Sequence, residues 1–126
     1  MPAAYLLQRV PTNFIWQMSR RADGTHESIN SITLAQGETA LLGFNVMRLK
    51  DKYDYPTSMT APTCDEAAIT PGATPDVDYG YDADFVKFLV VVDAATTTGD
   101  YYIETAVTLT SGSVLKLKGK LKVVAS

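Results

Sequence analysis

At 126 residues, with 46% hydrophobic and 20% charged side chains, the chain is sized for one domain around one core, and no stretch approaches the ~20 apolar residues that a membrane-spanning helix needs. Eleven Lys and Arg against fourteen Asp and Glu leave a net charge of -3, which argues against a nucleic-acid binder that depends on a broad basic surface. One cysteine, Cys64, and one histidine, His26, exclude an internal disulfide framework and any multi-Cys or multi-His metal site.

Tyr5 to Val10 is a short candidate strand. Asn13 to Arg20 and Thr25 to Leu34 then flank Ala22-Asp23-Gly24, and Asp-Gly between two such runs is a strong hairpin signal. Gln36-Gly37-Glu38 turns the chain into Thr39 to Leu49, a long predicted strand with Ala40, Leu42, Phe44 and Val46 on its core face. From Lys50 to Asp84 the regularity lapses. Four prolines (Pro56, Pro62, Pro71, Pro75) and many threonines predict one long loop, with a short strand or helical turn at Glu66 to Thr70.

Phe85 to Val92 (FVKFLVVV) is a near-continuous apolar run, and its length and β-branching predict a central strand covered on both faces. Tyr101 to Leu109 and Val114 to Val123 predict a hairpin around Thr110-Ser111-Gly112-Ser113. In its second arm Leu115, Leu117, Leu121 and Val123 alternate with Lys116, Lys118, Lys120 and Lys122, so the lysines project from one face. Strands at these spacings predict an all-β fold, an antiparallel β-sandwich of Ig-like type with one long acidic Pro/Thr-rich loop over 50–84. Residues 1–28 read as an N-terminal hairpin or arm and 29–126 as the sandwich domain.

Charge is segregated along the chain. From Asp51 to Asp84 there are eight acids against Lys52 alone, a local charge of -7, which leaves +4 for the remainder. Within that segment Asp76, Asp78, Asp82 and Asp84 alternate around Gly80, and hard oxygen ligands at that density are a candidate Ca²⁺ site, although the spacing departs from an EF-hand loop. The lysine stripe, Lys116, Lys118, Lys120 and Lys122, is a candidate partner surface or a solubility device for a strand. Tyr5, Leu6, Leu7 and Trp16 crowd apolar bulk near the N-terminus and are candidate partner contacts. Trp16, with Phe14 and Met18 on one face, fits either a carbohydrate-stacking platform or a core face. His26 reads as a solvent-facing or hydrogen-bonded strand residue, Cys64 as an inert thiol, and no Gly-x-Ser-x-Gly elbow or phosphate loop accompanies them. No catalytic residue is assigned and no enzyme is expected.

Gly37-Glu38-Thr39 leading to Phe44, Phe88 in its apolar strand, Gly99-Asp100-Tyr101-Tyr102-Ile103 and the Gly112 turn together resemble the β-sandwich modules of tailed-phage virions, of the capsid decoration or cement and baseplate-adaptor type. The resemblance spans about Ile29 to Val124. It implies a non-enzymatic structural subunit of a bacteriophage particle, a homo-oligomer working through interfaces with other capsid or tail proteins, without nucleic acid, membrane or cofactor. Upper-baseplate proteins continue into a stem or receptor-binding module, whereas this chain stops at Ser126, which favours the small accessory subunit. Fifteen threonines, eight glycines and seven tyrosines resemble extracellular β-modules, while Met1 to Arg9 shows neither a basic n-region nor an apolar h-region, so no signal peptide is expected. Synthesis in the host cytoplasm followed by a place in the virion would satisfy both. The alternative is a small extracellular-type Ig-like binding module for a host surface or a carbohydrate.

Overall fold

The computed structural model describes residues 11–20, 24–51, 53–72, 76–77 and 85–126. Among the described residues ten strands follow one another: β1 (Ile15–Ser19), β2 (Thr25–Ala35), β3 (Thr39–Asn45), β4 (Pro56–Met59), β5 (Thr63–Cys64), β6 (Ile69–Pro71), β7 (Asp76–Val77), β8 (Phe85–Val92), β9 (Gly99–Leu109) and β10 (Val114–Val124). The protein is all-β, and among the described residues the only helical pieces are single 3-10 turns such as Met47–Leu49.

The strands form one curled sheet in the order β4, β9, β10, β2, β1, β3, β8, β6, with β5 also on β9 and β7 also on β8. The expected antiparallel pairing is corrected to a mixed one, because β2 runs parallel to β10 and β1 parallel to β3. The seam is β1, which pairs with β3 at Ile15 to Gln17 and with β2 at Met18 and Ser19. Asn30 makes that switch possible. Its amide donates to the Ile15 carbonyl and accepts from the Gln17 N–H, both at 2.8 Å, so a side chain satisfies backbone groups that β2 leaves behind. On the far side β4 approaches β7 and β5 approaches β6, which carries the curl most of the way around the core.

Period two explains the core. In β10, Leu115, Leu117, Leu121 and Val123 point inward, as do Ile103 and Val107 of β9, Leu42 and Phe44 of β3, and Val86, Phe88 and Val90 of β8. Each large side chain so buried contributes roughly 1.5–3 kcal/mol. The centre is an aromatic trio, with Trp16 4.6 Å from Phe44 and 6.2 Å from Phe88 between ring centroids. The one inward position of β10 without a large side chain is Gly119, and there the indole lies against bare backbone. Trp16 Nε1–H donates to the Lys120 carbonyl at 2.7 Å.

Several expectations shift. β2 runs unbroken through residue 28 and Trp16 is fully buried, so β1 and the start of β2 belong to the sheet rather than to an arm laid over it. The strand expected to reach Leu49 ends at Asn45, and the chain then takes the 3-10 turn. The long loop holds four strands where one short element was expected, because pieces of two to four residues carry no readable period and gain their pairing from the longer β8 and β9. The candidate strand Tyr5 to Val10 lies outside the described residues.

Candidate functional site

The parallel pairing of β2 with β10 brings the starts of those strands to the same end of the molecule as the β9–β10 turn. The Met47–Leu49 turn and the loop after it complete that end. Between them lies a cleft of about 750 Å³ with Leu49, Leu109 and Leu115 as apolar lining and Arg20, His26, Lys50, Asp51 and Asp54 as polar lining.

The loop is latched onto the β9–β10 turn. Asp54 Oδ1 accepts from the Thr110 hydroxyl (2.8 Å) and the Ser111 N–H (2.9 Å), and Oδ2 accepts from the Ser111 hydroxyl (2.7 Å). Two backbone links reinforce the latch, from Thr110 N–H to the Tyr55 carbonyl (2.8 Å) and from Tyr55 N–H to the Thr110 hydroxyl (3.2 Å). These hydrogen bonds, the Ser111 hydroxyl's foremost, hold the Asp54 carboxyl below the usual carboxylate range. Arg20 donates to the Leu49 carbonyl and so ties the end of β1 to the 3-10 turn. Lys50 lies 5.3 Å from the centre of the Tyr55 ring. Tyr53, 74% exposed, lines a second hollow of about 370 Å³ that shares Asp51 and Asp54 with the first and adds Thr110 and Ser111.

The residues singled out in the sequence fall in different places. Trp16 is fully buried at the core centre, which corrects its reading as a partner contact or an exposed stacking platform. Lys116, Lys118, Lys120 and Lys122 do line one outer face, with Lys118 Nζ 3.9 Å from Glu104 and 4.4 Å from the Tyr102 ring centre. Asp76 lies on β7 in register with Lys87, while Asp78, Asp82 and Asp84 lie outside the described residues, as do Tyr5, Leu6 and Leu7. Among the described residues no three His, Cys, Asp or Glu side chains gather around a common metal position. His26 is 5% exposed and lines the cleft. Burial pushes the Cys64 thiol up to about 11, away from nucleophilic use.

Arg20, Asp51, Tyr53 and Asp54 were not singled out from the sequence. The available signal was Asp51-Lys52-Tyr53-Asp54-Tyr55, a carboxylate and tyrosine cluster just before Pro56, hidden within a segment read only for its charge.

No family model matches the chain, and no curated protein does. Among solved structures it is similar to a Bacteroides ovatus protein, SGBP-B of the mixed-linkage glucan utilization locus, in complex with a mixed-linkage heptasaccharide. The identity is 17% and the TM-score 0.36, over 86% of this chain and 22% of that one. The chain thus spans under a quarter of the length of that structure. The expectation of a structural subunit of a phage particle is corrected here: the matching structure belongs to a glucan utilization locus and not to a virion.

Proposed function

We propose that the chain is a non-enzymatic binding module whose end cleft holds a neutral glycan. The observation that carries this reading is the exposed Tyr53 ring on a hollow that shares Asp51 and Asp54 with the end cleft, which is itself lined by Arg20 and Lys50. A sugar ring presents C–H groups on its faces and hydroxyls on its edge. A tyrosine offers an apolar face to the former, and carboxylate and cationic side chains accept from and donate to the latter. The latch through Asp54 fixes the loop that bears these groups before any ligand arrives, which lowers the ordering cost of binding. Binding without turnover fits the chemistry of the same carboxylate. A general acid for glycoside cleavage needs a raised pKa, and Asp54 is shifted the other way and already spent on Thr110 and Ser111.

Affinity electrophoresis through gels containing soluble neutral glycans, with mixed-linkage glucan in the panel, tests this reading. At least one glycan should retard the protein, and Tyr53→Ala and Asp51→Asn should each weaken retention by about tenfold, which is the loss of a contact worth about 1.4 kcal/mol. Free passage through every gel, or retention indifferent to both substitutions, would overturn it.

A further inference from the structure

β1 has five residues and joins β2 to β3 along only part of their lengths. It meets β2 at Glu27 and Ser28 and β3 at Gly43, Phe44 and Asn45, so from Ser31 onward β2 has β10 on one side and, among the described residues, no strand on the other. The backbone on that side is oriented by its last residue. Ala35 N–H donates to Glu38 Oε1 at 2.8 Å and the Ala35 carbonyl accepts from Glu38 N–H at 3.1 Å, whereas Gln36 N–H donates to the Val124 carbonyl of β10 at 3.0 Å. In a parallel ladder the two groups of one residue point the same way and those of the next residue point the other way. Ser31 and Thr33 therefore turn their N–H and carbonyl groups to the open side.

Exposed strand edges are ordinarily protected by shortness, proline or charge. The two ends of the sheet follow that rule: β4 and β6 have four and three residues, with Pro56 in one and Pro71 in the other. Residues 31–35 of β2 have neither proline nor charge, include β-branched Ile32 and Thr33, and leave Ser31 and Thr33 exposed on the outer face. Across the gap, residues 39–42 of β3 also have no strand beside them among the described residues, but the outward Leu41 there is only 9% exposed, so that flank is already covered. The unprotected edge is that of β2.

We infer that this edge pairs with the same edge of a second copy, antiparallel about Ile32. In that register Ser31 of each copy stands opposite Thr33 of the other, and the two pairs exchange four hydrogen bonds that use every open group. Sliding the register one way calls on Ala35, whose groups are already spent on Glu38. Sliding it the other way meets β1, which Asn30 holds against β2 through the Ile15 carbonyl and the Gln17 N–H. The side chains agree with the backbone, since Ser and Thr opposite each other form a favourable cross-strand pair. Charge does not oppose it either. Lys120 and Lys122 lie on the far side of β2 in each copy, three strand spacings or about 14 Å from their counterparts, beyond the ~8 Å screening length at physiological salt. The contact is separate from the end cleft and does not depend on the reading given to it.

Sedimentation velocity and amide hydrogen exchange of the full chain, from about 10 µM to about 1 mM, the range suited to so small an interface, test the inference. A monomer–dimer equilibrium is expected, with exchange of the Ser31 and Thr33 amides slowed by about tenfold at the highest concentration and Tyr53→Ala without effect. The double variant Ser31→Lys, Thr33→Lys sets like charges opposite one another and should abolish the dimer, as should Ser31→Glu, Thr33→Glu, while an equimolar mixture of the two should restore it. If either double variant loses its β circular-dichroism spectrum, Thr33→Pro, which removes one open N–H at an edge position that tolerates proline, is expected to weaken dimerisation by about tenfold. A chain that stays monomeric at the highest concentration, a dimer indifferent to the folded variants, or amide protection at Ser31 and Thr33 that does not change with concentration, the mark of cover from within one chain, would overturn the inference.

Discussion

Trp16 and Gly119 are more than a hundred residues apart in sequence, yet each explains the other. A Cβ at position 119 would stand 2.6 Å from two indole atoms. The ring is flanked by Phe44 and Phe88 and anchored through Nε1, so it has little room to yield. Gly119→Ala is therefore expected to destabilise the fold by about 1–3 kcal/mol, the usual range for overpacking a filled core. Urea denaturation measures it, and a loss below about 0.5 kcal/mol, ordinary for a surface change, would contradict the packing described. Cys64 gives a second residue-scale expectation. With its pKa near 11 against 9.0 for a free thiol, its thiolate is scarce at pH 8; because a more basic thiolate is also the better nucleophile, alkylation should run about tenfold slower than for an unfolded control. Equal rates in folded and unfolded protein would show the thiol to be accessible and unperturbed. The lysine and leucine alternation of β10 was legible because it is local. The reason for Gly119, the gap in that alternation, was not, since its partner lies at the other end of the chain.

The latch between the 50–55 loop and the β9–β10 turn is an element-scale device, and its strength depends on pH. Asp54 is held below its ordinary value of 3.8. A carboxyl whose folded pKa is depressed contributes stability that is fully present above the unfolded pKa and is lost as pH falls through the folded one. Asp54→Asn should therefore lower the thermal midpoint at pH 6 and 7, and the gap from the parent chain should close below about pH 4. A gap that widens in acid would mean that the carboxylate is not the group responsible. The turn at Thr110 to Ser113 and the acidic segment were each legible in the sequence, but a side-chain link across some fifty-six residues has no local signature. The same holds for the parallel pairings, since periodicity reports which face of a strand is buried and not which strand lies beside it.

At the scale of the whole molecule, a single curled sheet places two different surfaces on one core: an end cleft with an exposed tyrosine, and a lysine-bearing face on β10. The all-β class was legible from period two, and so was the lysine face. The end cleft was not, because it is assembled from β1, β2, the loop after β3 and the β9–β10 turn, none of which carries a recognisable motif. Glycan binding is proposed for that cleft. The most direct measurement is a two-dimensional amide NMR titration with a neutral oligosaccharide that retards the protein in gels. Shift changes should gather at Gly24, Asp51, Tyr53 and Ser111 to Leu115 and leave Lys116 to Lys122 still. Changes confined to the lysine face, or spread evenly over the sheet, would contradict it.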